Sequence, residues 1–345
     1  MQEILFLILS LLAILASAEI FTNGVESLGR KLSLSQAVVG SILAAVGTAL
    51  PETILPVVAI IMQGGSAAKK IGVGAILGAP FMLGTLAFFL VGLSVLISYL
   101  RKRRKFELHI EAHSMKRDLV AFIILYSAAI FLPLVARTNP AFIAPLLVAG
   151  YLIYAYKTFK GESADIMHTP ELYFQRLLTY GARLAGRPGG PGDDVRGAGL
   201  SLILFQVLAA LALMVEGAHI FVKSLQTLSF SWGMDPLLFA LLVAPIATEL
   251  PEKFNSVTWT LKGKDTLALG NITGAMVFQS TFPVSVGLLF TDWDISGLGL
   301  FSAILALLSA CAVLAEIHFR GKLSPLTILL GGGGYIIYAL AVIFR

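Results

Sequence analysis

Val46-Gly47-Thr48-Ala49-Leu50-Pro51-Glu52 and Pro245-Ile246-Ala247-Thr248-Glu249-Leu250-Pro251-Glu252 are two versions of one stretch. Each places a glutamate directly after a proline, inside a run that is otherwise almost wholly apolar. An ionisable side chain at bilayer depth is costly, and by default it marks a functional site. The proline lacks the N–H that would bond four residues back, so the carbonyls of Gly47 and Ala247 are expected to be freed. Such a carbonyl, beside a carboxylate and the hydroxyl of Thr48 or Thr248, is a set of hard oxygen ligands for a small cation. The two stretches are therefore expected to hold one ion together.

The chain around them reads as a membrane protein. Of its 345 residues 57% are hydrophobic and 13% charged, against about 25% charged in ordinary globular chains. Apolar windows of 18 or more residues recur, each long enough to cross roughly 30 Å of hydrocarbon. They predict ten spans, near 3–28, 34–62, 71–99, 118–136 and 141–159, then 198–226, 235–261, 266–290, 296–317 and 323–344. The expected class is all-α and polytopic, with a first five-helix repeat over 1–159, a polar connection over 160–197 and a second repeat over 198–345. A short surface helix is expected around 171–185. Met1-Gln2-Glu3 lacks the basic start of a signal peptide, so the first apolar run is read as a retained span. Most of the 25 basic residues fall in the loops after odd-numbered spans, including Arg101-Lys102-Arg103-Arg104-Lys105. By the positive-inside rule those loops face the cytoplasm and both termini lie outside. Five spans is an odd number, so the second half inserts upside-down relative to the first, with the site at the interface of the repeats. The positive charge is a property of loops, carries no nucleic-acid signal, and in the basic run suits anionic lipid head groups.

The repeat can be followed residue by residue. Gln36 to Glu52 and Pro236 to Glu252 have the same length, and Ser27-Leu28 matches Ser224-Leu225. In that register Glu19 falls on Glu216. Downstream, Gly74-x-x-x-Gly78 aligns with Gly270-x-x-x-Gly274, a spacing that lets helices approach closely.

With these residues in place, the chain resembles the cation/calcium exchanger superfamily, which includes sodium/calcium and proton/calcium exchangers. The family carries a Gly-Thr-Ser-x-Pro-Glu type segment in the second helix of each half. Here it reads Gly47-Thr48-Ala49-Leu50-Pro51-Glu52 and Ala247-Thr248-Glu249-Leu250-Pro251-Glu252. The resemblance implies a cation antiporter in which Glu52 and Glu252, helped by Thr48 and Thr248, bind calcium and exchange it for sodium or protons. It also implies that the first and sixth helices slide across the remaining bundle to give alternating access. The chain departs from the pattern at the family's serine, here Ala49 and Glu249. It departs again in the third helix of each half, where Gly-Ser-Asn-x-x-Asn or Asp becomes Gly78-Ala79-Pro80-Phe81-Met82-Leu83 and Gly274-Ala275-Met276-Val277-Phe278-Gln279. Gln279 remains as a polar ligand there, whereas Leu83 offers no ligand atom, which bears on sodium sites that depend on those positions.

Glu52, Glu252, Glu249, Glu19 and Glu216 are then five acids at membrane depth. Like charge and desolvation raise carboxylate pKa values, so a divalent ion or protons must neutralise several of them. That competition favours proton coupling over sodium coupling. Glu249 lies three positions before Glu252, on nearly the same helix face, and is a further candidate ligand. Glu19 and Glu216 are candidates for a proton or ion pathway. Lys253, one helical step of about 100° beyond Glu252, is expected to point elsewhere; facing the site, it would offset a carboxylate or stand in for a monovalent ion. Asn255 and Ser256 suit either a pathway lining or bonds between helices, and Asn23 and Asn271 are weaker candidates of the same kind. His109 and His113, four apart in a polar loop, read as a solvated loop helix, with metal binding as the sharper alternative. Lone Cys311 permits no disulfide within the chain and is expected to be packed. No enzyme or cofactor is expected: the one histidine within a span, His219, forms no catalytic cluster. A channel, an intramembrane enzyme and an exchanger of another cation are the alternatives, and oligomeric state is left open.

Overall fold

The computed structural model describes residues 2–32, 44–136, 142–159, 172–184 and 199–343, and their regular elements are all helical. In chain order, α1 spans Gln2–Lys31 and α2 Ala44–Val57, extended by a π-helical turn over Val58–Gln63. Helix α3, Gly65–Met82, runs through a second π segment, Leu83–Ala87, into α4, Phe88–Leu100. Next come α5, Ala112–Ala136, α6, Ile143–Phe159, and the short α7, Tyr173–Leu184, which occupies the place expected of a surface helix. The second half holds α8, Leu200–Ser231, α9, Pro236–Leu261, α10, Asp265–Gln279, and α11, Phe282–Phe290. Helices α12, Gly297–Arg320, and α13, Pro325–Ile343, complete it.

Seven of the described helical segments are long and apolar enough to cross a membrane, and three shorter apolar helices lie at Ala49–Gln63, Ile143–Thr158 and Pro236–Glu249. Each overlaps one of the expected spans, and most run past its bounds, as Gly65–Leu100 does the span expected over 71–99. Large apolar side chains stand exposed along them, Leu12, Val135 and Leu330 among them, as a hydrocarbon solvent permits and water penalises.

The chain divides into two compact units, and each draws on both halves of the sequence. One contains residues 1–54 and 155–221, the other residues 55–154 and 222–345. In the first, α1 and α8 approach closely at two glycines. A Cβ on Gly24 would lie 2.8 Å from Val207 Cγ2, and one on Gly217 would lie 3.0 Å from Ile14 Cγ1.

In the second unit the tightest contact is α3 against α9. A Cβ on Gly74 would fall 2.2 Å from the Leu237 carbonyl oxygen, and one on Gly78 would fall 2.3 Å from that of Leu241. Pro245 explains part of this geometry. Without an N–H it leaves the Leu241 carbonyl without its usual helical partner, and the bare backbone of Gly78 comes up against that oxygen. Small residues four apart thus do here what the sequence suggested. At Gly270 and Gly274 an added Cβ would meet nothing within 4 Å among the described residues.

The third helix of each half is irregular at matching positions. In the register that aligns Gly74 with Gly270, the π segment starting at Leu83-Gly84-Thr85 falls on Gln279-Ser280-Thr281, where α10 ends before α11 begins. Thr85 and Thr281 donate to the carbonyls four residues back, Phe81 and Val277, at 2.6 and 3.2 Å. Non-helical backbone at membrane depth is tolerated where protein surrounds it or where it lines a cavity, and all six residues are buried.

Two ion pairs tie helix ends together in this second unit. Lys70, near the start of α3, reaches Asp235, the N-cap of α9, at 3.1 Å, and both helix starts were expected on the outside. Arg104 grips Asp265 with both terminal nitrogens, at 2.9 and 2.6 Å, and also donates to the Thr260 carbonyl. Those ends were expected in the cytoplasm. Helix ends assigned to one side by charge therefore meet one another.

Candidate cation site

Helices α2 and α9 continue past Pro51 and Pro251. A proline in mid-helix removes one rung of the ladder, so the carbonyls of Gly47 and Ala247 lose their usual donors. Glu52 is buried, with 5% of its surface exposed, in a helix that offers no basic residue of its own. The side chains of Thr48 and Glu252, and the surroundings of Gly47, lie outside the described residues. Ala247 and Thr248 are buried, and the Thr248 hydroxyl donates to the Ala244 carbonyl at 3.1 Å. Its oxygen lone pairs stay available to a cation while the bond fixes the hydroxyl's direction. Gln279 is buried at the last turn of α10.

Glu249 is fully buried and pairs through Oε2 with the ammonium of Lys253, itself 5% exposed. The two are four residues apart on α9, glutamate first, which is the favourable order on a helix. Lys253 thus turns back along its own helix instead of reaching solvent. The second oxygen of Glu249 has no hydrogen-bond partner among the described residues.

Glu19 and Glu216 are both exposed. Glu19 accepts a bond from the Tyr173 hydroxyl at 2.9 Å, and this bond is the main cause that raises the Tyr173 pKa above its ordinary value. Ser256 is buried and accepts from Asn271 at 3.5 Å, a bond between α9 and α10, whereas Asn255 is exposed. Among the described residues no three His, Cys, Asp or Glu side chains converge as a metal site. His109 and His113 do not share a helix, because α5 begins at Ala112, and the backbone N–H of His109 donates to Asp265 at 2.9 Å. Cys311 is exposed, not packed. Ala306, Ala310 and Val313 take the buried stripe of α12, and the step of about 100° from Ala310 carries Cys311 off it.

Three polar groups of consequence were not read from the sequence. Gln206, fully buried on α8, donates to Asn23 and to the Ile20 carbonyl, both at 2.9 Å. Asn23 and Gln206 then accept from the first free N–H groups of α7, those of Tyr173 and Phe174, at 3.1 and 2.9 Å. A helix start needs such acceptors, and here two spans supply them. The lone amide in an apolar run was the available signal for Gln206. Asp118, buried one turn inside α5, accepts from Tyr154 at 3.0 Å and from Thr273 at 2.9 Å; placing the span's start at 118 hid it at a boundary. Arg104 belonged to a run read as an orientation signal and lipid contact. Its hydrogen bond to Asp265 is the leading cause that raises its pKa further.

Comparison with known proteins agrees with this architecture. The model of the family described as "Sodium/calcium exchanger protein" matches in two blocks, residues 3–160 and 202–344. The putative antiporter CaxA of Alkalimonas amylolytica is 27% identical over 285 residues, covering 82% of this chain and 79% of that protein. The sodium/calcium exchanger MaX1 of Methanosarcina acetivorans is 24% identical over 319 residues, covering 86% and 85%. The crystal structure of the H+/Ca2+ exchanger CAX superposes with a TM-score of 0.68 at 18% identity, covering 99% of this chain and 86% of that one; at that identity the likeness is one of fold. On the family match across both halves, the chain belongs to the sodium/calcium exchanger protein family and is an integral membrane cation exchanger.

Proposed function

We propose that the protein exchanges calcium, or a cation of similar size and charge, for protons or sodium, by alternating access at a site whose principal ligands are Glu52 and Glu252. The observation that carries this reading is the doubled Thr-x-Leu-Pro-Glu segment, one copy in each block that matches the exchanger family. Thr48, Thr248, Gln279 and the carbonyls of Gly47 and Ala247 complete the oxygen set. Ten spans in two inverted repeats, joined by the 160–197 connection with both termini outside, form the scaffold. The ion pairs within one compact unit support that sidedness, since they join helix ends assigned to the same face.

Alternating access draws support from the two compact units. Helix α1 and most of α8 fall in one, and the long helices α3, α5, α10, α12 and α13 fall in the other. A division of this kind suits a carrier in which the first and sixth spans move as a body. For the counter-ion, protons are favoured. The buried Glu52 must be neutral or paired when the calcium leaves, and a proton meets that need at the same oxygens. The relatives include both chemistries, since MaX1 is named a sodium/calcium exchanger and CAX a proton/calcium exchanger.

Radioactive calcium uptake into proteoliposomes tests the proposal, with a pH gradient and a sodium gradient imposed separately. Uptake driven by the pH gradient and lost in Glu52→Gln and Glu252→Gln is the expected result. Sodium-driven uptake overturns the proton preference. No uptake with either gradient, from protein that remains folded, overturns the calcium assignment.

A further inference from the structure

The two halves differ in charge at one pair of equivalent positions. In the register that places Glu52 on Glu252, Ala49 and Thr53 fall on Glu249 and Lys253. In the first half the pair is neutral, and the Thr53 hydroxyl donates to the Ala49 carbonyl at 2.8 Å. In the second half the same two positions carry an acid and its own cation, buried and paired. Stability does not call for that replacement: a buried ion pair contributes no more than a well-packed apolar pair, and frequently less. A fold that wanted only a satisfied carboxylate would also bond both of its oxygens. Here Oε2 has the ammonium, and Oε1 has no hydrogen-bond partner among the described residues.

We infer that Lys253 is a tethered cation, occupying through its ammonium a monovalent-cation position on Glu249 that would otherwise be filled by a mobile ion. The inference rests on the exchanger reading above and adds a determinant of selectivity to it. A lysine ammonium is a compact point charge on a flexible stem, so it can stand where an alkali cation would. It cannot leave, and so it takes one carboxylate out of the count of those that a transported ion must neutralise. The remaining charge requirement then falls on Glu52 and Glu252, and Lys253 lowers by one the monovalent ions bound per cycle.

The test uses the purified full-length protein in detergent, with melting temperature read across a series of sodium or lithium chloride, and choline chloride as the ionic-strength control. Lys253→Gln vacates the position and is expected to add a saturable sodium- or lithium-dependent rise of about 3 °C or more beyond the wild-type response. Glu249→Gln/Lys253→Gln is expected to lose that added response. A folded Lys253→Gln protein that gains no metal-cation response has only protonated Glu249, and the inference is overturned. If Lys253→Gln does not fold, Glu249→Gln decides. It adds one unit of positive charge next to Glu252 and is expected to raise the midpoint of calcium-dependent stabilisation by about tenfold or more, the scale on which a neighbouring unit charge acts. An unchanged midpoint means a structural salt bridge only and overturns the inference. Failure of the exchanger reading shows separately, as a wild-type protein that moves no calcium under either gradient, and it leaves the sodium series on Lys253→Gln decisive.

Discussion

Gly78→Ala is the sharpest test of how the second compact unit is assembled. The added Cβ would sit 2.3 Å from the Leu241 carbonyl oxygen and 2.6 Å from Pro245 Cγ. Neither obstacle is the end of a flexible side chain. One is backbone and the other a ring locked into the helix, so relief requires α3 and α9 to separate locally by about 1 Å. Overpacking of this kind costs about 1–3 kcal/mol, and the gain from replacing glycine in a helix, about 0.5–1 kcal/mol, offsets only part of it. At roughly 2–4 °C per kcal/mol for a chain of a few hundred residues, the melting temperature in detergent should fall by a few degrees. The control is Gly333→Ala on α13, where a Cβ meets nothing within 4 Å. There only the helix-propensity gain applies, and the melting temperature should hold or rise slightly. The reasoning is refuted if Gly78→Ala melts within about 1 °C of wild type, or if both variants fall equally.

Two further perturbations probe the polar anchors. Arg104→Gln strips the fully buried Asp265 of its bidentate partner and should cost about 1.5–3 kcal/mol. Arg104→Lys should recover little of it, because one ammonium does not reproduce the fork; full rescue by lysine in thermal denaturation would show that charge alone matters. Gln206→Leu removes the acceptor for the Phe174 N–H and the donor to Asn23. Hydrogen exchange at Tyr173 and Phe174 should accelerate by about tenfold or more, as expected for a lost bond of about 1.4 kcal/mol; unchanged exchange would mean that α7 is held by other contacts.

Much of the fold was legible because its signals are local or periodic. Hydropathy located the seven described segments that are long and apolar enough to cross a membrane, since the bilayer demands length and apolarity of each one separately. The surface helix at α7 was visible between Pro170 and the turn-rich stretch that follows it. Gly74 and Gly78 could be named as a close-packing pair, but not the carbonyls that they meet. The Glu249–Lys253 pair lay at a helical spacing open to reading. It was passed over because Lys253 was weighed only against its neighbour Glu252.

The sequence by itself determined the membrane class, the doubled Pro-Glu segment and the family, because these depend on composition, period and motif. Tertiary structure decided partner choice. Arg104 meets Asp265 across 161 positions of chain, Thr273 meets Asp118 across 155, and Gln206 meets Asn23 across 183. Periodicity tells which face of a helix is apolar. Which two faces come together depends on how the helices pack, and only there do a buried donor and acceptor find each other.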